Sequence, residues 1–157
     1  MDTEASMKTL PAGLLLAAGL AFAAQPGVTI FKASEIQTKS DKLLDKNQAF
    51  ASEMLPRFGN HYMMLAAREQ TGSAESHEHE ADIFVVERGN ATLLSGGTIV
   101  QPRTERPGEI RGSSIEAGER RTVSTGDIIQ IPAGVPHQLL IEKGQPFVYF
   151  VVKVTGQ

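Results

Sequence analysis

The spacing of apolar and polar residues changes three times along the chain. Residues 10–24 form an almost unbroken apolar run. Residues 28–32 are rich in strand formers and predict a short strand. Ser34 reads as the N-cap of a helix reaching about Lys46, with Ile36, Leu43 and Leu44 as its apolar points. Between residues 49 and 60 no period holds, and Pro56, Gly59 and Asn60 interrupt it. From Tyr62 onward the runs are short and β-like, over 62–68, 82–87, 91–95, 98–101, 127–131, 138–142 and 147–154. Gly96 and Gly97, between two of these runs, predict a tight hairpin turn. Short strands, frequent turn signals and no long helix predict a mainly β fold, as a sandwich, jelly roll or barrel.

The first apolar run changes the picture most. Fifteen residues are too few to span a bilayer, which takes about 20. Lys8 precedes the run, and Ala21, Phe22 and Ala23 end it as a small-x-small cleavage site. Residues 1–23 therefore read as a signal peptide, and the product is expected in the periplasm or secreted. Asp2 and Glu4 are unusual in the basic start of such a signal, so Met7 is the expected initiator. Behind the signal, residues 24–60 read as an N-terminal extension of one strand and a short helix. Residues 61–157 read as the β domain.

Composition then removes whole classes of function. The 157 residues carry 15 Lys and Arg against 18 Asp and Glu, a net charge of −3. That lacks the basic excess of a nucleic-acid binder. With no cysteine, disulfide scaffolds, zinc fingers, iron–sulfur ligation and thiol nucleophiles are all excluded. An exported domain without disulfides must rest on its core alone. Residues 102–121 hold Arg103, Arg106, Arg111, Arg120 and Arg121 beside Glu105, Glu109, Glu116 and Glu119. The segment fits a solvated hairpin whose charges nearly cancel. Its length also fits a lid, or an Arg clamp for a carboxylate or phosphate.

Histidine is the remaining metal-ligating nitrogen, and three of the four histidines fall in two short segments. His77 and His79 lie two apart; on a strand both point to one face and reach one metal ion. Glu78 and Glu80 would then face solvent. In the second segment Gly126 is followed by Pro132, Gly134 and His137, with Gly134 allowing the turn before His137 opens a strand. His61 reads as a loop residue. Met63 and Met64 read as packing, and Tyr149 as packing or an interface residue that can also donate a proton.

Gly72, His77, His79, Asp82 and Gly89, followed by Gly126, Pro132, Gly134 and His137, resemble the two sequence motifs of the cupin superfamily. The second motif matches in spacing, with Ile141 where the family has Asn. In the first, one residue is missing before His77, and Asp82, with six residues between it and Gly89, stands where the family has Glu. The resemblance covers roughly residues 62–154. It implies a single jelly-roll type β-barrel holding a divalent transition metal on His77, His79, Asp82 and His137. A nitrogen and oxygen ligand set suits Mn, Fe, Ni, Zn or Cu alike. Leu139 and Ile141 would share the inward face of His137, and Phe84 and Val86 that of Asp82, giving an apolar cavity for a small organic molecule.

Two functions follow from that resemblance. One is a metal-dependent enzyme of oxygenase, isomerase or lyase type; the other is a non-catalytic metal- or ligand-binding protein. The expected partners are a small-molecule substrate or ligand and a second copy of the chain in a homodimer. Neither nucleic acid nor, once the signal is removed, a membrane is expected.

Overall fold

A computed structural model describes residues 27–157; the signal peptide read over residues 1–23 lies outside the described residues. The elements begin with helix α1 (Ala33–Leu44), then β1 (Phe50–Arg57), β2 (His61–Arg68), β3 (Ala74–His77), β4 (Glu80–Arg88), β5 (Asn90–Ser95) and β6 (Thr98–Val100). They continue with β7 (Arg103–Arg106), β8 (Glu109–Gly112), β9 (Ser114–Glu116), β10 (Glu119–Ser124), β11 (Ile128–Ile131), β12 (His137–Leu140) and β13 (Phe147–Thr155).

Five strands form one antiparallel sheet in the order β1-β2-β13-β4-β11. Six form a second, in the order β10-β5-β12-β3-β8-β7, and β6 pairs with β9 in a small third sheet. The two large sheets share one core. The five-stranded sheet gives it Ala66, Phe84, Val86, Phe147, Tyr149 and Val151; the six-stranded sheet gives Ala91, Leu93, Val123 and Leu139. Two antiparallel sheets closed over one core make a jelly-roll barrel, as the run pattern predicts.

The outer faces are covered separately. Ile36 and Leu43 of α1 pack on Ala51, Leu65, Ala67 and Val148, the outward residues of β1, β2 and β13. The β6–β9 pair lays Ile99 and Ile115 on Ala74 and Leu94, the outward residues of β3 and β5. Each sheet thus has two apolar faces, which accounts for the dense apolar runs from Tyr62 onward.

Four local expectations need correction. Residues 28–32 join no sheet, and the strand formers Val28 and Ile30 stand exposed. The cap of α1 is Lys32, not Ser34: the Lys32 amide donates to the Glu35 carboxylate (3.2 Å), and Ser34 is already helical. The interrupted stretch before Asn60 contains β1, so the barrel's sheet starts within the segment read as an extension. Gly96 and Gly97 turn the chain, but β5 and β6 do not pair; the turn carries the chain onto the outer face of the six-stranded sheet.

Alternation decides what enters the barrel. Asp82, Phe84 and Val86 of β4 point inward and stand opposite Lys153, Val151 and Tyr149 of β13. On β2, Met64, Ala66 and Arg68 share the inner face, opposite Val151, Tyr149 and Phe147. In the six-stranded sheet His137 of β12 stands opposite Glu75 of β3, which in turn stands opposite Arg111 of β8. One step along β3, His77 stands opposite Glu109. Polar side chains are therefore gathered at one level of the barrel by strand register.

Candidate metal centre

Glu75 and His77 are two apart on β3 and share its inner face, and His137 enters from the neighbouring strand. One donor atom from each lies within 4.8 Å of the others. His137 Nε2 is 3.6 Å from Glu75 Oε1, and His77 Nε2 is 3.8 Å from Glu75 Oε2. The loop before β12 is fastened to β3: the Gly134 amide donates to the His77 carbonyl (2.7 Å), and Ser76 Oγ donates to the Gly134 carbonyl (3.1 Å). Gly134 has φ +77°, a conformation that glycine adopts without strain.

The opposite sheet supplies Asp82. Its Oδ2 lies 3.3 Å from His137 Nε2 and 3.7 Å from His77 Nε2. Lys153 Nζ lies 2.7 Å from Asp82 Oδ1, and both residues are buried. Asp82 therefore stands beside the cluster, where its sequence spacing puts it, with its charge balanced by an ammonium.

His79 does not join the cluster. Strand β3 ends at His77; the Glu78 amide then donates to the Gly108 carbonyl (2.7 Å) and the chain bends away. Alternation therefore stops before His79, whose side chain is 66% exposed and lies near Glu78. His61 is also remote from the cluster, stacked on Phe58 and bonded to Asn60.

Glu75 is the residue that sequence reasoning missed, and a signal for it exists. Glu75, one residue, His77, four residues, Asp82, six residues and Gly89 reproduce the cupin spacing with Glu75 in the first His position. That register sets four residues between His77 and Asp82, but leaves only two between Gly72 and Glu75.

Electrostatics prepare the cluster. The Val135 carbonyl lies 3.0 Å from His137 Nδ1 and can only accept, so Nδ1 carries a proton and Nε2 faces the carboxylates. Burial opposes a charge on His137, but its contacts with Asp82 and Glu75 outweigh that and push its pKa up to about 9. Burial, aided by the Lys153 charge, lowers His77. Burial would raise Glu75 and Asp82; His137 and the neighbouring cations instead hold both below the usual carboxylate range.

The Arg-rich segment takes part as well. Arg111 Nη2 lies 2.8 Å from Glu75 Oε2 and 2.5 Å from Glu109 Oε1, and Arg106 Nε lies 2.5 Å from Glu109 Oε2. Strand β8 thus carries charge into the barrel, with exposed Arg106 of β7 paired to Glu109 at the rim, while Arg121 and Glu119 form the exposed pair expected of a solvated hairpin.

Whether a metal fits is decided by unpartnered atoms. Both ring nitrogens of His77, and Nε2 of His137, are buried without a hydrogen-bond partner among the described residues. A buried imidazole without partners is costly, and an ion on it removes that cost. The donor set of two imidazoles and a carboxylate suits divalent Mn, Fe, Ni, Zn or Cu. Glu75, His77 and Asp82 line a cavity of about 540 Å³, together with Met64, Phe84 and Tyr149. Its lining is more charged than the apolar cavity expected from alternation, because Arg68, Arg111 and Lys153 also reach it.

No protein-family model and no curated protein sequence matches the chain. Solved structures do. An uncharacterised conserved protein with a double-stranded β-helix domain from Klebsiella pneumoniae aligns at TM-score 0.57 and 16% identity, over 83% of this chain and 93% of that one. The KdgF protein from Halomonas sp. aligns at TM-score 0.51 and 13% identity, over 69% and 82%. A "predicted oxalate decarboxylase" from Thermotoga maritima aligns at TM-score 0.50 and 11% identity, over 68% and 80%. At these identities the likeness shows the fold alone: the chain has the cupin, or double-stranded β-helix, fold.

Proposed function

We propose that this cupin-fold chain is a divalent-metal-dependent enzyme acting on a small organic molecule inside the barrel. The observation that carries this reading is the buried Glu75, His77 and His137 cluster, in which neither ring nitrogen of His77 has a hydrogen-bond partner among the described residues. These three residues would hold the ion, with Asp82 beside them. A bound divalent ion supplies Lewis acidity towards a carbonyl or hydroxyl of the substrate.

The chain's own residues do the rest. Val135 fixes the tautomer of His137 through Nδ1. Lys153 Nζ donates a hydrogen bond to Asp82 Oδ2 (2.8 Å) at the cavity wall and fixes that carboxylate. Burial raises the Tyr149 phenol, which keeps its proton at neutral pH and can donate it to a bound ligand. Phe84 and Met64 keep that side of the cavity apolar. Export by the segment 1–23 and assembly as a homodimer belong to the same proposal.

The test is turnover. Protein reconstituted with each of Mn, Fe, Ni, Zn and Cu is screened against small hydroxy acids, keto acids and phenols. We expect turnover with one or two metals and its loss in His77→Ala. A second reading is favoured by one observation: Arg111 and Lys153 neutralise the two carboxylates nearest the imidazoles, leaving neither as a free base. On that reading the barrel binds a metal or a ligand without catalysis, and the screen returns tight retention with no turnover.

A further inference from the structure

Of the cationic side chains lining the cavity, Lys153, Arg106 and Arg111 each face a carboxylate within 4 Å. Arg57 and Arg68 do not, among the described residues. Arg57 lies exposed over the Tyr62 ring. Arg68 is different, because only 8% of its surface is exposed. A buried guanidinium without a counter-ion is costly and needs a reason.

Its surroundings hold it without neutralising it. Arg68 Nε donates to the Tyr149 hydroxyl (3.0 Å), and its Cζ sits 4.5 Å from the centre of the Phe50 ring. Neither contact brings a negative charge. Cross-strand register sets Arg68 opposite Phe147 and diagonal to Tyr149, so β13 fixes the direction of the side chain. Space for the guanidinium comes from Gly72: a Cβ there would lie 2.3 Å from Nη1 and 2.8 Å from Cζ. The Nη groups make no hydrogen bond among the described residues, and the side chain lines the same cavity as Glu75, His77 and Asp82.

We propose that Arg68 receives the carboxylate of the small organic ligand, whose apolar body lies along Met64, Phe84 and Val151. The geometry is the one a carboxylate requires: a planar fork with free donors, held in place by an aromatic face and a phenol. This inference rests on the reading that the cavity takes a small organic molecule. It is independent of which metal is held, or whether one is.

The test uses the whole chain, dialysed free of metal and chelator, and titrates benzoate and its neutral isostere benzamide by calorimetry at neutral pH. Wild type is expected to bind benzoate at least about tenfold more tightly than benzamide, since only the carboxylate pairs with the guanidinium. Arg68→Gln is expected to abolish that preference. Gly72→Ala keeps every charge but displaces the guanidinium, and is expected to weaken benzoate several-fold while leaving benzamide unchanged. Circular dichroism melts confirm folding; if Arg68→Gln does not fold, the isostere ratio and Gly72→Ala decide. The proposal is overturned if benzoate does not bind, if benzamide binds as well, or if either folded variant binds benzoate as wild type does. Loss of the metal reading would show instead as wild type that takes up no metal yet keeps its benzoate preference.

Discussion

His137 links the chemistry of the cluster to pH. Its pKa, pushed up to about 9 by Asp82 and Glu75, makes it a cation at neutral pH in the metal-free protein. A metal ion must displace that proton. Zinc affinity should therefore rise about tenfold per pH unit between pH 7 and 9 and level off above, which competition titrations with a chromophoric chelator would detect. The stability effect has the opposite sign. A raised pKa means that the protonated form carries stability, fully present below about pH 6.5 and lost as pH rises through about 9. Metal-free protein should thus melt progressively lower from pH 7 to 9, while His137→Gln should lack that slope. Lys153 makes a second residue-scale prediction. Lys153→Met removes the closest cation from buried Asp82 and leaves only the protonated His137 beside it; it should cost up to about 3–5 kcal/mol in urea unfolding of the metal-free protein. Adding Asp82→Asn should restore most of it.

At the scale of elements, legibility followed the side chains that each strand buries. Strands β2, β4, β5 and β13 bury apolar residues, and their runs were visible in the sequence. Strands β3, β7 and β8 carry Glu75, His77, Arg106, Glu109 and Arg111, and ladder pairing and ion pairs hold them, with Ala74 of β3 adding apolar burial. Hydrophobic periodicity says nothing about such strands. Strand β1 was hidden by Pro56, which a sheet tolerates here because β1 is an edge strand and its register shifts between Met54 and Arg57. The site was half legible for the same reason. The motif resemblance implied His77, His79, Asp82 and His137; the structure brings His77, Asp82 and His137 together and leaves His79 outside. Glu75 was missed because attention went to the His pair, which the end of β3 splits apart. His79→Ala should therefore leave metal stoichiometry unchanged, whereas Glu75→Gln should weaken binding about tenfold or more. Equilibrium dialysis of both variants against zinc separates the two outcomes.

The whole molecule closes the site from two sheets. Glu75, His77 and His137 belong to the six-stranded sheet, and Asp82 and Lys153 face them from the five-stranded one. An ion held there binds only the folded barrel. Metal at a hundredfold excess over its dissociation constant should thus stabilise the barrel by about 2.7 kcal/mol, measured by thermal unfolding with and without chelator. At this scale the sequence was most informative, since two short motifs, in order, implied a barrel that both the strand topology and the solved structures bear out. The measurement closest to the central claim is metal content by inductively coupled plasma mass spectrometry. It would use untagged protein purified without chelator, beside folded His77→Ala. About one divalent transition metal per wild-type chain, absent from the variant, is the predicted result. Wild type free of metal after reconstitution, or a variant that keeps it, would contradict the proposed centre.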